Sequence, residues 1–257
     1  MRYFSTINIL HLLDNLPTNY IMPTTEENPI SKTEWKITSE RYVGYIDIMG
    51  FKDMVARTKH NEIYDIMKKI DDRKKLNENV EWNNIKEVLV RTTTYSDSIM
   101  IYSKDESADS LHSLICTIAS LSDDLFTFGI PHKGAIAFGT MTIDINRSIF
   151  FGQPLIDAYL LQEELNFYGI IVHSSAHMRI EAKGAPFIFN YMCPLKNGNA
   201  YHLTISPMHG VFRNNTMFKH AYDKLVIAIK NLRFNTSGHV RKYIDNTEAY
   251  INSLPKQ

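Results

Sequence analysis

The chain has 257 residues, of which 44% are hydrophobic and 22% are charged, so it can bury a full core and is predicted to form one large domain with extensions. Lysine plus arginine and aspartate plus glutamate both number 28, a balance that argues against a nucleic-acid partner or an anionic membrane surface. The contexts of Cys116 and Cys193 support neither a zinc cluster nor a disulfide framework, and they favour the cytoplasm. The chain has no apolar run of about 18 residues, so no membrane span is predicted.

The chain begins with a segment that is predicted to lie outside the main domain. Residues 4–16 place apolar side chains at roughly helical spacing, which predicts a short amphipathic helix that packs on the core or on a second subunit. Residues 17–38 contain three prolines with several polar residues, a composition typical of a linker. We therefore expect an N-terminal helix and linker over 1–38 and the compact domain, with its C-terminal helices, over 39–257.

The segment Tyr42–Lys52 is predicted to contain the first and central strand of the core. It is a short apolar run that carries one carboxylate, Asp47, near its end and breaks at Gly50. A buried carboxylate without a partner costs several kcal/mol and would take up a proton instead. Asp47 is therefore expected to face a bound metal or a nearby base.

A second acid follows about fifty residues later. Ser96 and Asp97 stand between two β-rich runs within Val88–Tyr102, the position of a hairpin turn. Counting by twos predicts that Arg91, Thr93 and Tyr95 share a strand face with Asp97. Carboxylates from a central strand and from an adjacent hairpin would form a site for one or two Mg²⁺ or Mn²⁺ ions that hold a triphosphate.

The remaining elements are predicted from periodicity and from capping signals. Helices are predicted over 50–55, 62–75, 107–128, 155–166, 176–183, 216–233 and 238–253, and strands over 85–95, 97–103, 131–139, 170–173, 186–191 and 200–205. The polar stretch 71–84 is predicted to be a loop. This order is neither a run of strands nor a strict alternation, and it indicates an α+β sheet with helices on one face.

Four motifs in this order resemble a known family. They are Tyr-Ile-Asp-Ile-Met-Gly-Phe at Asp47, Tyr-Ser-Asp-Ser-Ile-Met at Asp97, Lys-Gly-Ala-Ile-Ala-Phe-Gly from Lys133, and the helix that follows Phe-Phe-Gly-Gln-Pro at Gly152. Together they resemble the class III nucleotidyl cyclase homology domain and, more narrowly, the pyrimidine cyclases of Pycsar antiphage systems. The resemblance implies a class III cyclase-like fold, related to ferredoxin-like and palm folds, with a C-terminal helical extension.

The resemblance also implies a site. Asp47 and Asp97 match the catalytic, metal-binding aspartates, and the carbonyl of Ile48 matches a third ligand to two Mg²⁺ or Mn²⁺ ions. The amides of Met49, Gly50 and Phe51 match a triphosphate cradle. In the family the nucleotide site is shared between the two subunits of a homodimer. The residues implied to reach it from the second subunit are Thr93, Tyr95, Asp157 and Tyr159.

Four positions depart from the purine cyclases. These enzymes carry Asn-x-x-x-Arg where this chain has Ile156 and Leu160, and a basic residue where it has Gly169. Thr93 stands where they carry a base-reading Lys or Glu. The cation that would stabilise the transition state is therefore not identified, and the candidates are Lys52, Lys133 and Arg147.

The function implied is a homodimeric cyclase that converts UTP or CTP to the 3′,5′-cyclic monophosphate and pyrophosphate. The product would be a second messenger that activates a separate effector during phage infection. Two alternatives stay open: a polymerase-like palm nucleotidyltransferase, and a catalytically degenerate cyclase-like domain that acts as a nucleotide sensor or scaffold. The sequence does not distinguish UTP from CTP.

Overall fold

The computed structural model describes residues 35–78, 87–185, 187–207, 215–234 and 236–255. The predicted helix over 4–16 and the linker up to residue 34 lie outside these ranges. The described strands are β1 Thr38–Ile48, β2 Val90–Tyr95, β3 Ser98–Ser103, β4 His132–Asp144, β5 Ile149–Gly152, β6 Gly169–Val172, β7 Ile188–Leu195 and β8 Gly198–Ile205. The described α-helices are α1 Phe51–Arg57, α2 His60–Glu78, α3 Ala108–Thr127, α4 Gln153–Glu163, α5 Ser174–Lys183, α6 Thr216–Phe234 and α7 Arg241–Ser253.

The strands form one mixed sheet, which confirms the predicted α+β class. Their order is β2-β3-β1-β4-β6-β8-β7, and β5 pairs with β4. The β4–β6 pair is parallel, whereas β1 is antiparallel to both of its neighbours, β3 and β4. The strand that carries Asp47 therefore lies inside the sheet, as predicted.

Helices pack on both faces of the sheet, so the expectation of helices on one face was wrong. A Cβ at Gly44 would lie 2.7 Å from Cδ1 of Ile118, which brings α3 against that side of β1. The next residue, Tyr45, points to the other side, where its ring meets the ring of Tyr159 on α4 at a centroid distance of 5.5 Å. Both faces of β1 are covered because its apolar residues do not all fall on one side of the strand.

The predicted loop over 71–84 was wrong for its first part, because α2 continues to Glu78. Ile70 is buried, and Asp71 accepts ion pairs from Lys74 at 3.3 Å and Lys75 at 2.6 Å. Pairs at these spacings stabilise a helix. Lys74 also donates to Thr94 Oγ1 at 2.6 Å, so the polar run is anchored to β2. Residues 79–84 lie outside the described ranges.

Strand β4 and helix α4 end at other places than predicted. β4 continues beyond Gly139 to Asp144 because it pairs with β1 along its length and then with β5. α4 begins at Gln153 with Pro154 in its first turn and ends at Glu163. The chain then turns towards β7, and the Asn166 amide donates to the Pro194 carbonyl at 2.9 Å.

The C-terminal helices pack against the face of the sheet that carries α4. The Tyr168 amide donates to Thr247 Oγ1 of α7 at 2.8 Å, and the rings of Phe167 and Tyr250 lie 5.2 Å apart. The predicted helix from Gly238 opens with a 3₁₀ turn over Gly238–Val240 before α7. None of the helices within the described ranges is long and apolar enough to span a membrane.

Candidate active site

The structure brings Asp47 and Asp97 together at the end of β1. Asp97 lies in the two-residue turn between β2 and β3, and its carbonyl accepts a hydrogen bond from the Ile48 amide at 2.8 Å. Asp47 faces Ser98 across the β1–β3 pair. Ser96, the other turn residue, has φ 54°, in the left-handed region that few residues other than glycine adopt. The hairpin tip thus bends its carboxylate-bearing residue towards the end of the central strand.

The two carboxylates influence each other electrostatically. The pKa of Asp47 is raised to about 6, mainly by burial and then by the charge of Asp97, while the charge of Lys133 opposes the shift. Like charges held close in a half-buried place repel, and a divalent cation would relieve that repulsion. Two carboxylate groups are also the hard oxygen ligands that Mg²⁺ and Mn²⁺ prefer. The residues therefore fit such an ion.

The carboxylate pair does not form a complete coordination shell. Among the described residues, no group of three or more His, Cys, Asp or Glu side chains is placed to hold a metal. A bound ion would complete its shell with backbone carbonyls, water or phosphate oxygens. Ile48 follows Asp47 with a buried side chain, and its carbonyl as a third ligand stays a prediction.

The predicted triphosphate cradle lies just beyond β1. The Met49 amide donates to the Pro131 carbonyl at 2.8 Å, so this donor is used inside the protein. Gly50 has φ 76°, and the space that a Cβ would occupy there is open. Phe51 begins α1 and packs its side chain against the core. Of the three predicted amides, those of Gly50 and Phe51 stay candidates for phosphate contacts.

Thr93 and Tyr95 lie on the same face of the sheet as Asp47. Tyr95 pairs with Ser98, which pairs in turn with Asp47, so the three form one row across β2, β3 and β1. Thr93 lies one step further along β2, and Tyr95 is 83% exposed. Asp97 belongs to the turn and not to β2, so its predicted place on this face stays a prediction.

The predicted nucleotide contacts of α4 have different surroundings. Asp157 accepts from Gln153 Nε2 at 2.7 Å and lies 3.7 Å from Nδ1 of His173, at the end of β6. Asp47 pairs with Lys133 on β4, and Lys133 pairs with Gly169 at the start of β6. Gly169 and His173 are about 13 Å apart along the strand, so Asp157 lies far from the Asp47 of its own chain. Tyr159 contacts Tyr45 and is 46% exposed.

One of the three candidate cations lies beside Asp47. Lys133 faces Asp47 across the β1–β4 pair and is buried. Arg147 donates to Asp144 at 2.8 Å. Asp144 is the last residue of β4 and lies about 36 Å along the strand from Lys133, so Arg147 is far from Asp47. Lys52 is exposed on α1.

The glycine at the position of the expected basic residue has a structural reason. A Cβ at Gly169 would clash with the ring of Phe167, so a side chain would require that ring to move. Phe167 is itself buried against Tyr250 of α7. The packing of the C-terminal helix therefore favours glycine at the start of β6, and the position cannot supply a cation in this arrangement.

Sequence reasoning missed a hydroxyl pair beside the carboxylates. The Tyr45 hydroxyl and Ser98 Oγ are 2.5 Å apart, and the charges of both Asp47 and Asp97 act on the phenol. Tyr45 precedes Asp47 by two residues, and that spacing alone predicts a shared face. Its partner is not visible in the sequence, because the register of β1 and β3 decides it.

The sequence matches no model of a known protein family and no curated protein. Among solved structures, the chain is similar to the catalytic core of a rhodopsin-guanylyl cyclase with converted specificity, with TM-score 0.47 and 12% identity over 66% of this chain and 96% of that one. It is similar to a bacterial light-regulated adenylyl cyclase, with TM-score 0.47 and 10% identity over 73% of this chain and 98% of that one. An adenylate/guanylate cyclase/hydrolase from Silicibacter pomeroyi gives TM-score 0.44 and 12% identity over 66% and 98%.

Proposed function

We propose that the chain is a nucleotide cyclase that converts UTP or CTP to the 3′,5′-cyclic monophosphate and pyrophosphate. The observation that carries this proposal is the meeting of Asp47 and Asp97 at the end of β1, where the Ile48 amide bonds to the Asp97 carbonyl at 2.8 Å. The carboxylates are close enough that the charge of Asp97 contributes to the raised pKa of Asp47. Such a pair at the surface end of a central strand is suited to divalent ions and phosphates.

In the proposed reaction the ribose 3′-oxygen bonds to the α-phosphorus. The bond from that phosphorus to the bridging oxygen breaks, pyrophosphate leaves, and the hydroxyl proton passes to solvent. Asp47, Asp97 and the Ile48 carbonyl would hold two Mg²⁺ or Mn²⁺ ions, whose chemistry is to acidify the 3′-hydroxyl and to neutralise phosphate charge. The chain itself holds the carboxylates together and places the buried ammonium of Lys133 opposite Asp47.

The choice of a pyrimidine base is supported by Thr93. Its side chain is short and carries a single hydroxyl, and in the shared site it would face the base bound at the aspartates of the second copy. It cannot extend to a purine edge as the longer Lys or Glu of purine cyclases would. We further propose that the cyclic product activates a separate effector in antiphage defence, as the resemblance implies.

The proposed enzyme acts as a homodimer with shared sites. Asp157 lies far from the Asp47 of its own chain, which leaves it for the site of a second copy. Ile156 and Leu160 of α4 are 52% and 57% exposed, and neighbouring Tyr159 is 46% exposed. An exposed apolar row of this kind on one helix is suited to an interface between two copies.

A second candidate is a domain that binds nucleotide without turnover. Ile156 and Leu160 present exposed apolar side chains where purine cyclases carry Asn and Arg. Without those groups the transition state loses the donors that the Asn and the Arg of purine cyclases supply. This candidate predicts nucleotide and metal binding without a cyclic product.

The deciding experiment incubates the purified protein with each of the four nucleoside triphosphates and Mn²⁺, and separates the products by chromatography. We expect a cyclic pyrimidine nucleotide and equimolar pyrophosphate. Asp97→Asn, which preserves shape and removes one charge, should give neither. Binding without product would favour the second candidate. Elongated chains would instead indicate a polymerase-like palm, and both results would overturn the cyclase.

A further inference from the structure

The hydroxyl pair of Tyr45 and Ser98 joins the two parts of the candidate site. Tyr45 belongs to β1 with Asp47, and Ser98 directly follows Asp97 in the chain. Their oxygens are 2.5 Å apart, and either can be the donor. Because Tyr45 faces Met100 and Asp47 faces Ser98, the bond runs diagonally across the β1–β3 pair on one face. It therefore ties the strand of one carboxylate to the hairpin of the other.

The hairpin tip needs such a tie. Ser96 adopts φ 54°, a conformation that costs free energy in residues other than glycine and persists where the surroundings hold it. The Ile48 amide secures the backbone of Asp97 at 2.8 Å. The Tyr45–Ser98 bond secures the next residue through side chains, so the turn is attached to β1 at two successive positions.

Tyr45 is itself held in place from the other side. The ring of Tyr159 on α4 meets the Tyr45 ring edge-on, with centroids 5.5 Å apart. The phenol is half-buried between this ring and the sheet, so its hydroxyl has a defined direction towards Ser98. A phenylalanine at position 45 would keep the ring contact and lose only the hydrogen bond.

We propose that Tyr45 is a positioning residue for the metal site: through Ser98, its hydroxyl holds Asp97 beside Asp47 so that one divalent cation can bind both carboxylates. This inference rests on the proposed function, because it assumes that the two aspartates bind metal. Tyr45 does not touch the cation; it acts through the hairpin. Loss of its hydroxyl leaves both carboxylates present but lets the Asp97 turn move.

The test measures Mn²⁺ binding directly, by isothermal titration calorimetry of the full chain without nucleotide. Tyr45→Phe and Ser98→Ala should each weaken Mn²⁺ binding about 3–10-fold, the range expected for one hydrogen bond. The double variant should be no weaker than either single one, because both remove the same bond. Ser98→Thr keeps the hydroxyl, so its affinity for Mn²⁺ should stay close to that of the wild type.

Tyr201→Phe is the matched control, since Tyr201 is 67% exposed on β8 and distant from β1 in the strand order. It should bind Mn²⁺ as the wild type does. Wild-type affinity in Tyr45→Phe and Ser98→Ala, or losses that multiply in the double variant, would overturn the role of Tyr45. If Asp97→Asn still abolishes binding in that case, the proposed metal site stands. A wild-type chain that does not bind Mn²⁺ would overturn both.

Discussion

Asp47 and Lys133 face each other across the antiparallel β1–β4 pair, and only 3% of Lys133 is exposed. Burial lowers the pKa of the Lys133 ammonium, whereas the charges of Glu163 and then Asp47 act to raise it. A buried ammonium in this position partly compensates the two carboxylates at the end of β1. The structure thereby singles out Lys133 among the three basic residues that sequence reasoning had named.

The first prediction is that Lys133→Met reduces the rate of cyclic product formation at least about 10-fold, because it leaves the carboxylates without their buried counter-charge. Lys133→Arg should retain more of the activity, since it keeps the charge. Initial rates at saturating Mn²⁺ and pH 8 provide the measurement, and melting curves establish that each variant folds. Lys219→Met, a change of an exposed lysine on α6, is the matched control. Wild-type rates in Lys133→Met would remove this residue from the site.

The second prediction concerns Asp47 and stability. The folded state raises its pKa from 3.8 to about 6, so the ionised form is disfavoured on folding. Stability is therefore lost as pH rises from about 4 to 6 and stays lost above that range. Asp47→Asn should raise stability at pH 8 by about 1–2 kcal/mol, allowing for solvent screening, and by little at pH 4.

Thermal melting of wild type and Asp47→Asn at the two pH values, without divalent ions, provides the measurement. The midpoint at pH 8 should rise by about 3–6 °C in the variant. Asp223→Asn on α6 serves as a comparison for loss of an aspartate charge elsewhere. An equal shift at both pH values, or none, would contradict the assigned cost of burying the Asp47 charge.

The third prediction is that ATP and GTP are poor substrates compared with UTP or CTP. A purine presents a larger polar edge, and leaving it unmatched in a pocket costs about 1–3 kcal/mol. This corresponds to a difference of about 5–150-fold in kcat/KM. Competition assays with mixed triphosphates measure the ratio directly. Equal rates for ATP and UTP would show that Thr93 does not mark a pyrimidine site.

The fourth prediction is that two inactive variants complement each other. Asp47→Ala and Asp157→Ala should each be inactive, or nearly so, as homodimers; Tyr159 is left unchanged because its ring contacts Tyr45 of its own chain. After subunit exchange, heterodimers contain one intact shared site and one damaged site. Activity should return to about half of the wild-type rate per heterodimer, by counting sites.

Mass spectrometry of differently tagged subunits establishes that heterodimers form. The control mixes Asp47→Ala with Asp97→Asn, which damage the same half of the site and should stay inactive together. A mixture of complementary variants that remains inactive, although heterodimers are present, would show that each chain completes its own site.

Local sequence pattern predicted the elements that carry the site. A short apolar run that breaks at Gly50 placed Asp47 near the end of an interior strand, and Ser96 with Asp97 marked the hairpin turn. The start of α3 was also readable, because Ser107 Oγ accepts from the Ser110 amide at 3.2 Å as an N-cap. These features depend on neighbours within a few residues, so they are visible without the fold.

The partners of these residues were decided by the tertiary structure. Strand register set Ser98 and Lys133 opposite Asp47, and it brought Tyr45 to Ser98, because pairing depends on how the whole sheet aligns. Periodicity states which residues share a face, but it does not state which strands become neighbours. The same limit explains α2, whose polar last turns are held by Lys74 through Thr94 on β2. Residue patterns therefore determined which groups could do chemistry, and long-range packing determined which of them meet.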